Sequence, residues 1–259
     1  MEDNEIRKIF HRIDLIREEV DSQVREPEFS DEKREREQRN PNMIEDDNDV
    51  LRRFAELIAF SENAKSDKVS NMLETDIFTV IFNQFKIEVV AKMDANTVLA
   101  QYWNVIKDIR FRHKVDKIIS CAKSLVSIRS KHGSFLSMLE KHNIPHKLES
   151  EGDLKNFWQG FDSLRYVLEK ENMPFFRSHI SLLHFLLDIG YDCIKPDVVV
   201  MKVAKDLGIV EREEGRQNFR RTVRFIQSYC INRNIKPAVI DLYLLVYGRQ
   251  NWAKKFLKS

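Results

Sequence analysis

The sequence predicts an all-α fold, and three observations carry that expectation. Glycine (7) and proline (6) are scarce in 259 residues, whereas a β protein of this length needs many turns. Charged side chains make up 32% of the chain, a share suited to long helices with one solvated face. From residue 46 onward, apolar side chains recur at helical spacing in almost every segment, with short connections between them. The 42% apolar content is enough for a substantial core in one large domain or two intimate ones.

The elements follow in order. In "DNEIRKIFHRIDLIREEV", Ile6, Ile9, Phe10, Ile13 and Ile16 fall on one helical face, so this amphipathic helix needs a surface to pack on. The next stretch, "DSQVREPEFSDEKREREQRNPNMIEDDND", is almost wholly polar and reads as a linker or extended arm. The domain boundary is therefore expected near residue 45, with an acidic helix and linker over 1–45 and a helical body over 46–259. Helical patterns continue through "NDVLRRFAELIAFSENAKS", "VSNMLETDIFTVIFNQF", "IEVVAKM", "ANTVLAQYWNVIKDI" and "RHKVDKIISCAKSLVSIRSKHGSFLSML". After the polar "HNIPHKLESEGD" come "LKNFWQGFDSLRYVLEKEN", two helices flanking a Pro-Asp step in "FFRSHISLLHFLLDIGYDCIKPDVVVMKVAKDLGIV", then "GRQNFRRTVRFIQSYCINRN" and "KPAVIDLYLLVYGRQNWAKKFL". In the last of these, "VIDLYLLVYG" has the periodicity of a buried strand as well, but no partner strand is apparent and the glycine suits a helix C-terminus.

Charge is distributed unevenly. Residues 1–50 carry 17 acidic and 9 basic side chains, and the remainder 24 acidic and 34 basic. A basic body is compatible with a polyanionic partner and equally with an ordinary soluble surface. Cys121, Cys193 and Cys230 are odd in number and widely spaced, which excludes a disulfide framework or a CxxC metal site and predicts buried thiols in a reducing compartment. No apolar window approaches 18 residues, so the expectation is a soluble cytoplasmic protein that neither enters nor anchors to a membrane.

Motifs for nucleotide phosphates, zinc hydrolysis and a nucleophilic serine are missing: there is no GxGxxG, P-loop, HExxH or GxSxG. The seven histidines do not cluster with carboxylates at ligand spacing, so neither a metal nor another cofactor is expected. Asp197, ahead of "VVVMKVAKDLG", is by position a helix N-cap. Glu62 and Asn63 read as polar residues closing a helix, and Tyr102, Trp103, Phe157 and Trp158 as core aromatics or base-stacking surfaces. Arg110, Arg112 and Lys114 read as a solvated face or a DNA track.

"MPFFRSHISLLHFLLDIGYDCIKPDVVVMKVAKDLGIV" is similar to the hairpin segment of the helix-hairpin-helix DNA glycosylase superfamily, whose pattern is LPGxGxKTA, an apolar helix, a VDTHV-like step and a helix ending in RLGL. Met173 and Pro174 fall on Leu-Pro, His179 on the Lys position and Asp197 on the Asp, with the pattern's 18-residue separation retained. "LIAFSENAKSDKVSNML" resembles the family's early ILSQQTxxxxV helix-loop-helix, and "YWNVIKDIRFRHKVDKIISCAKSL" its later basic helix pair. The resemblance covers residues 46–247, is closest to the 3-methyladenine branch, and departs from the pattern where Phe175 and Arg177 replace the two hairpin glycines.

The resemblance implies a two-subdomain helical bundle of that family's type, its C-terminal helices packing back beside the N-terminal ones. It also implies a monomer, associated with the nucleoid, that binds double-stranded DNA containing a damaged or modified base. A short turn between two helices anchors a phosphate by position rather than sequence, a role that falls here to Phe176, Arg177, Ser178 and His179, with Lys195 nearby. An enzyme acting on a base inside a duplex must extrude it and hold it in a pocket. Glu62, Asn63 and Trp103 are the implied pocket or wedge residues. Asp197 is the implied catalytic carboxylate, stabilising positive character at C1′ and orienting water. His179 in place of the Lys nucleophile implies a monofunctional hydrolase without strand cleavage. The competing expectations are a non-catalytic DNA-binding protein that keeps the hairpin alone, and a protein-interaction scaffold using the acidic head.

Overall fold

A computed structural model describes residues 3–25, 27–40 and 44–248. Among the described residues the chain forms fourteen α-helices and no strand, as the scarcity of turn formers predicts. The described residues divide into two compact units. One comprises those of Met1–Met43, Pro145–Trp158 and Leu186–Ser259, the other Ile44–Ile144 and Gln159–Phe185.

The first unit is built around its terminal helices. α1 (Asp3–Gln23) buries Ile9, Phe10, Ile13, Ile16 and Val20, the stripe expected from its spacing. The predicted linker is instead a helix, α2 (Pro27–Gln38), which buries little more than Phe29. Its polarity is offset locally by Arg36 on Glu32 at 2.6 Å and Arg39 on Glu35 at 2.7 Å, both i,i+4 pairs. α2 docks on α14 (Pro237–Gly248), with Phe29 edge-on to Tyr243 at 5.5 Å between ring centroids. The "VIDLYLLVYG" segment is thus a helix, apolar on almost every side, Asp241 excepted, because all but its last turn is largely buried. Its expected continuation through 249–257 lies outside the described residues.

α12 (Val198–Asp206) packs on α14, and α13 (Arg216–Arg233) closes the unit against α1, where Phe10 meets Phe225 and Tyr229 edge-to-face at 5.4 and 5.3 Å. Asp14 knits α1 to α13 by accepting from Tyr229 Oη (2.7 Å) and from the Arg233 guanidinium (2.7 Å).

The second unit centres on α3 (Asp47–Phe60) packed against α8 (His113–His132). Phe54 of α3 is its hub, stacked on Phe176 at 3.8 Å and edge-on to Phe135 and Phe185. Two patterns that read as single helices are broken. Residues 69–85 divide into α4 (Ser66–Glu74), α5 (Ile77–Ile81) and a 3₁₀ turn at Asn83–Phe85. The long run beginning at His113 stops at Gly133 (φ 90°), whose conformation a side chain would strain. Ser134 then caps α9 (Phe135–Lys141) by accepting from the Ser137 N–H. α6 (Ile87–Val90), α7 (Ala95–Ile106), most of α10 (Glu151–Lys170) and most of α11 (His179–Asp188) complete the unit.

Buried carboxylates tie distant segments within each unit. Asp47, 1% exposed, accepts from the Phe135 N–H (2.8 Å) and the Arg129 Nε (3.0 Å). Asp241, also 1% exposed, meets Arg36 at 2.8 Å. All three cysteines are buried free thiols, their ionisation pushed up by burial.

Candidate nucleic-acid interface

In the second unit α3 ends in a turn whose residues Glu62 and Asn63 both adopt left-handed backbone conformations, φ 56° and 57°. Two consecutive non-glycine residues in this region are costly and need external support. The support comes from the start of α8. Lys114, with no exposed surface, donates to the carbonyls of Ala59 (3.0 Å) and Ser61 (2.6 Å), answering the negative end of α3. The Arg110 guanidinium donates to the Asn63 carbonyl at 2.7 Å. His113 Nε2 lies 2.7 Å from the Glu62 carboxylate, which also accepts from Lys117 Nζ.

These contacts set the local electrostatics. Burial alone would raise the Glu62 carboxyl, but the hydrogen bonds from Lys117 and His113 outweigh it and hold the group below its usual value. Burial pulls Lys114 down to about 8, opposed by the Glu62 charge and assisted by Lys117 and Arg110. Among these side chains a single carboxylate thus stands amid four basic groups and a histidine, counting Arg112, whose guanidinium lies 5.1 Å over the Trp103 ring.

Lys117 has a second contact, 5.7 Å from the centre of the Phe175 ring. It therefore joins the Glu62 turn to the 174–178 turn, two of the segments singled out in the sequence. Phe175 takes the left-handed conformation (φ 61°) at a site where the family pattern has a glycine. The turn is tied to α8 by Cys121 Sγ on the Pro174 carbonyl (3.8 Å) and Ser124 Oγ on the Asn172 carbonyl (3.4 Å).

Within that turn the expected DNA contacts separate. Phe176 departs from the expectation of a side-chain contact: its ring is fully buried in the aromatic cluster with Phe54, because an apolar ring there gains more from the core than from water, and its N–H is turned onto the Pro174 carbonyl at 2.6 Å. Arg177 is exposed. Ser178 caps α11, its Oγ accepting from the Ser181 N–H (3.2 Å) and donating to Ser181 Oγ (2.9 Å). His179 is half-buried, edge-on to Phe161 at 5.5 Å. Trp103 is half-buried and Tyr102 exposed, whereas Phe157 and Trp158 are core.

Asp197 belongs to the first unit. It is the N-cap of α12, with Oδ1 accepting from the Val199 and Val200 N–H groups at 3.0 Å each. Oδ2 takes no hydrogen bond among the described residues, and the side chain is only half-buried. The extended segment leading to it is held at several points. Asp192 accepts from the Leu148 N–H (2.9 Å), and its own carbonyl from Gln227 Nε2 (2.8 Å). Gln227 in turn accepts from Trp158 Nε1 at 2.9 Å. The Lys195 N–H donates to Asp241 Oδ1 at 3.0 Å, so the Arg36–Asp241 pair also braces the backbone two residues before Asp197.

Sequence reasoning missed Arg36, Asp241, Lys117 and the buried state of Lys114. Asp241 carried a signal, since a lone carboxylate in an otherwise apolar helix is either buried with a partner or misplaced. Among the described residues no three potential ligands are grouped to hold a metal ion, and no helix is long and apolar enough to cross a membrane. Comparison with known proteins yields no relative by which to identify the chain: no protein-family model, no curated protein and no solved structure matches it.

Proposed function

We propose that the protein is a monofunctional DNA glycosylase, in which Asp197 supports hydrolysis of the N-glycosidic bond of an extruded damaged or modified base. The observation that carries this reading is the state of Asp197. One carboxylate oxygen is fixed by two backbone N–H groups, and the other takes no hydrogen bond among the described residues. A carboxylate held by its own helix does not swing away when charge develops beside it, which is the condition for electrostatic stabilisation without reorganisation. In the proposed reaction the C1′–N bond breaks with its electron pair going to the base. Water adds its oxygen to C1′, and its proton is taken up by solvent or the departing base. Asp197 stabilises the oxocarbenium-like sugar and orients the water.

Support for DNA as substrate comes from the second unit, where Arg110, Arg112, His113, Lys117 and Arg177 gather around the Glu62 and 174–178 turns. Phosphate anchoring at the turn rests on Arg177, since Phe176 is buried and Ser178 already takes the Ser181 N–H of α11. The absence of a lysine at position 179 supports hydrolysis rather than Schiff-base chemistry.

The decisive comparison is wild type against Asp197→Asn, on duplexes carrying alkylated, oxidised, deaminated and hypermodified bases. Asn is as good an N-cap as Asp, so the fold stays and only the charge is removed. Wild type is expected to release free base from at least one duplex, with Asp197→Asn about 10²-fold slower or worse and DNA binding retained. Failure of wild type to release any base while still binding the duplexes would replace this reading with a non-catalytic DNA-binding one. A borohydride-trapped covalent complex would overturn the monofunctional assignment.

A further inference from the structure

α13 carries five arginines and no acidic residue. Arg216, Arg220 and Arg224 follow one another at i,i+4, an arrangement in which like charges repel and cost helix stability. Arg233 is neutralised by Asp14, and Arg220 lies 4.6 Å over the Trp158 ring. Arg216, Arg221 and Arg224 have no ion-pair partner among the described residues and stand exposed. Nothing in the folding of the first unit calls for three unpaired guanidiniums on one face.

Beside them runs an apolar floor. Ile6 and Phe10 of α1 and Phe225 of α13 line a groove of about 470 Å³ whose rim includes Arg220, Arg221 and Arg224. A second cavity of about 580 Å³ shares Ile6, Phe10 and Ser228 with the first and continues the groove toward Arg233, where Asp3 and Glu151 stand beside Arg7 in a mixed-charge end. Measured along α13 from Gln217 to Arg233, the groove is roughly 24 Å long at the helical rise per residue. That length is too great for a single small molecule and equals about four turns of helix.

We infer that this α1–α13 groove docks an acidic amphipathic helix of a partner protein. The partner's apolar side chains, at i, i+3, i+4 and i+7, seat on Ile6, Phe10 and Phe225. Its Asp or Glu residues pair bidentately with Arg221 and Arg224. A phosphodiester backbone would use the arginines but leave the apolar floor uncovered. This surface is independent of Asp197 and of base release.

The test is selection of a random 16-residue peptide library, displayed on phage, against the full chain. The arms are wild type and Arg221→Glu/Arg224→Glu, whose equal thermal melting shows that the fold is unchanged. Enriched peptides are expected to be acidic with apolar residues at helical spacing. A synthetic copy should bind wild type at least tenfold more tightly than the double variant, with the ratio shrinking as salt is raised. Enrichment of basic or unpatterned peptides, or equal binding to the two proteins, overturns the proposal. So does a single-stranded oligonucleotide that displaces the peptide and is itself lost in the double variant, which would make the groove a nucleic-acid track.

Discussion

Asp197 and Glu62 are both acidic residues at helix ends, and they are held in opposite ways. Asp197 sits at the N-terminus of α12, where the helix's own N–H groups hold its carboxylate. Glu62 sits just beyond the C-terminus of α3, the end that disfavours negative charge, and is stabilised by Lys117 and His113 from α8, more than fifty residues away. The first arrangement leaves a carboxylate oxygen unclaimed, the second consumes the charge in ion pairs. A carboxylate that must act on a substrate is better served by the first, and one that must order a turn among cations by the second.

The largest expected effect breaks the support of Asp197 from behind. Arg36→Ala leaves Asp241 buried without its partner and should destabilise the chain by about 3–5 kcal/mol, measured by urea unfolding. Because Asp241 also receives the Lys195 N–H, the base release proposed for Asp197 should fall along with stability. The corresponding lesion behind Glu62 is Lys114→Met, and its signature lies in pH. The Lys114 ammonium ionises near 8 when folded and 10.5 when unfolded, so between these values the unfolded chain binds more protons and stability rises with pH. Wild type should therefore gain on Lys114→Met by on the order of 1–3 kcal/mol between pH 8 and 10.5, in paired melts across that range.

Smaller effects sharpen the contrast. Asp197→Ala should cost about 1 kcal/mol through loss of the cap, whereas Asp197→Asn should leave stability nearly unchanged. Unfolding of the two variants side by side separates the structural role from the proposed catalytic one. Glu62→Gln should cost well under 1 kcal/mol, since its ion pairs are partly exposed. The Glu62 carboxyl ionises below its usual value when folded, so its contribution is present above the usual glutamate range and is lost as pH falls through the lowered value. Stability curves of wild type and Glu62→Gln should therefore converge in acid.

How much of this was legible in the sequence follows from the same contrast. The Asp197 cap lies in six consecutive residues, "KPDVVV", and needs nothing from elsewhere, so local reading finds it. Most helices were legible for the same reason, the periodicity of their own side chains. The Glu62 cluster was not, because its members are 51 and 55 residues apart and only packing of α3 on α8 joins them. Phe176 misled because a short turn before a helix reads as surface, while its partner Phe54 lies in another helix. α2 misled because it has almost no apolar stripe. Yet Glu32–Arg36 and Glu35–Arg39 were visible at i,i+4 in "DEKREREQR", a pattern that sustains a helix which is polar on every side.

The α2–α14 contact also sets a timetable. Arg36 finds Asp241 across 205 residues of chain, so during synthesis α1 and α2 emerge long before the helices they cover. At roughly 5–20 residues per second the wait is about 10–40 s, with Ile9, Ile13, Ile16 and Phe29 lacking their burial partners throughout. The first unit is thereby a late-closing structure, dominated by contacts of large sequence separation. The second unit is contiguous over Ile44–Ile144 for most of its length, and its longest wait is shorter, about 6–26 s until Phe176 and Phe185 reach Phe54.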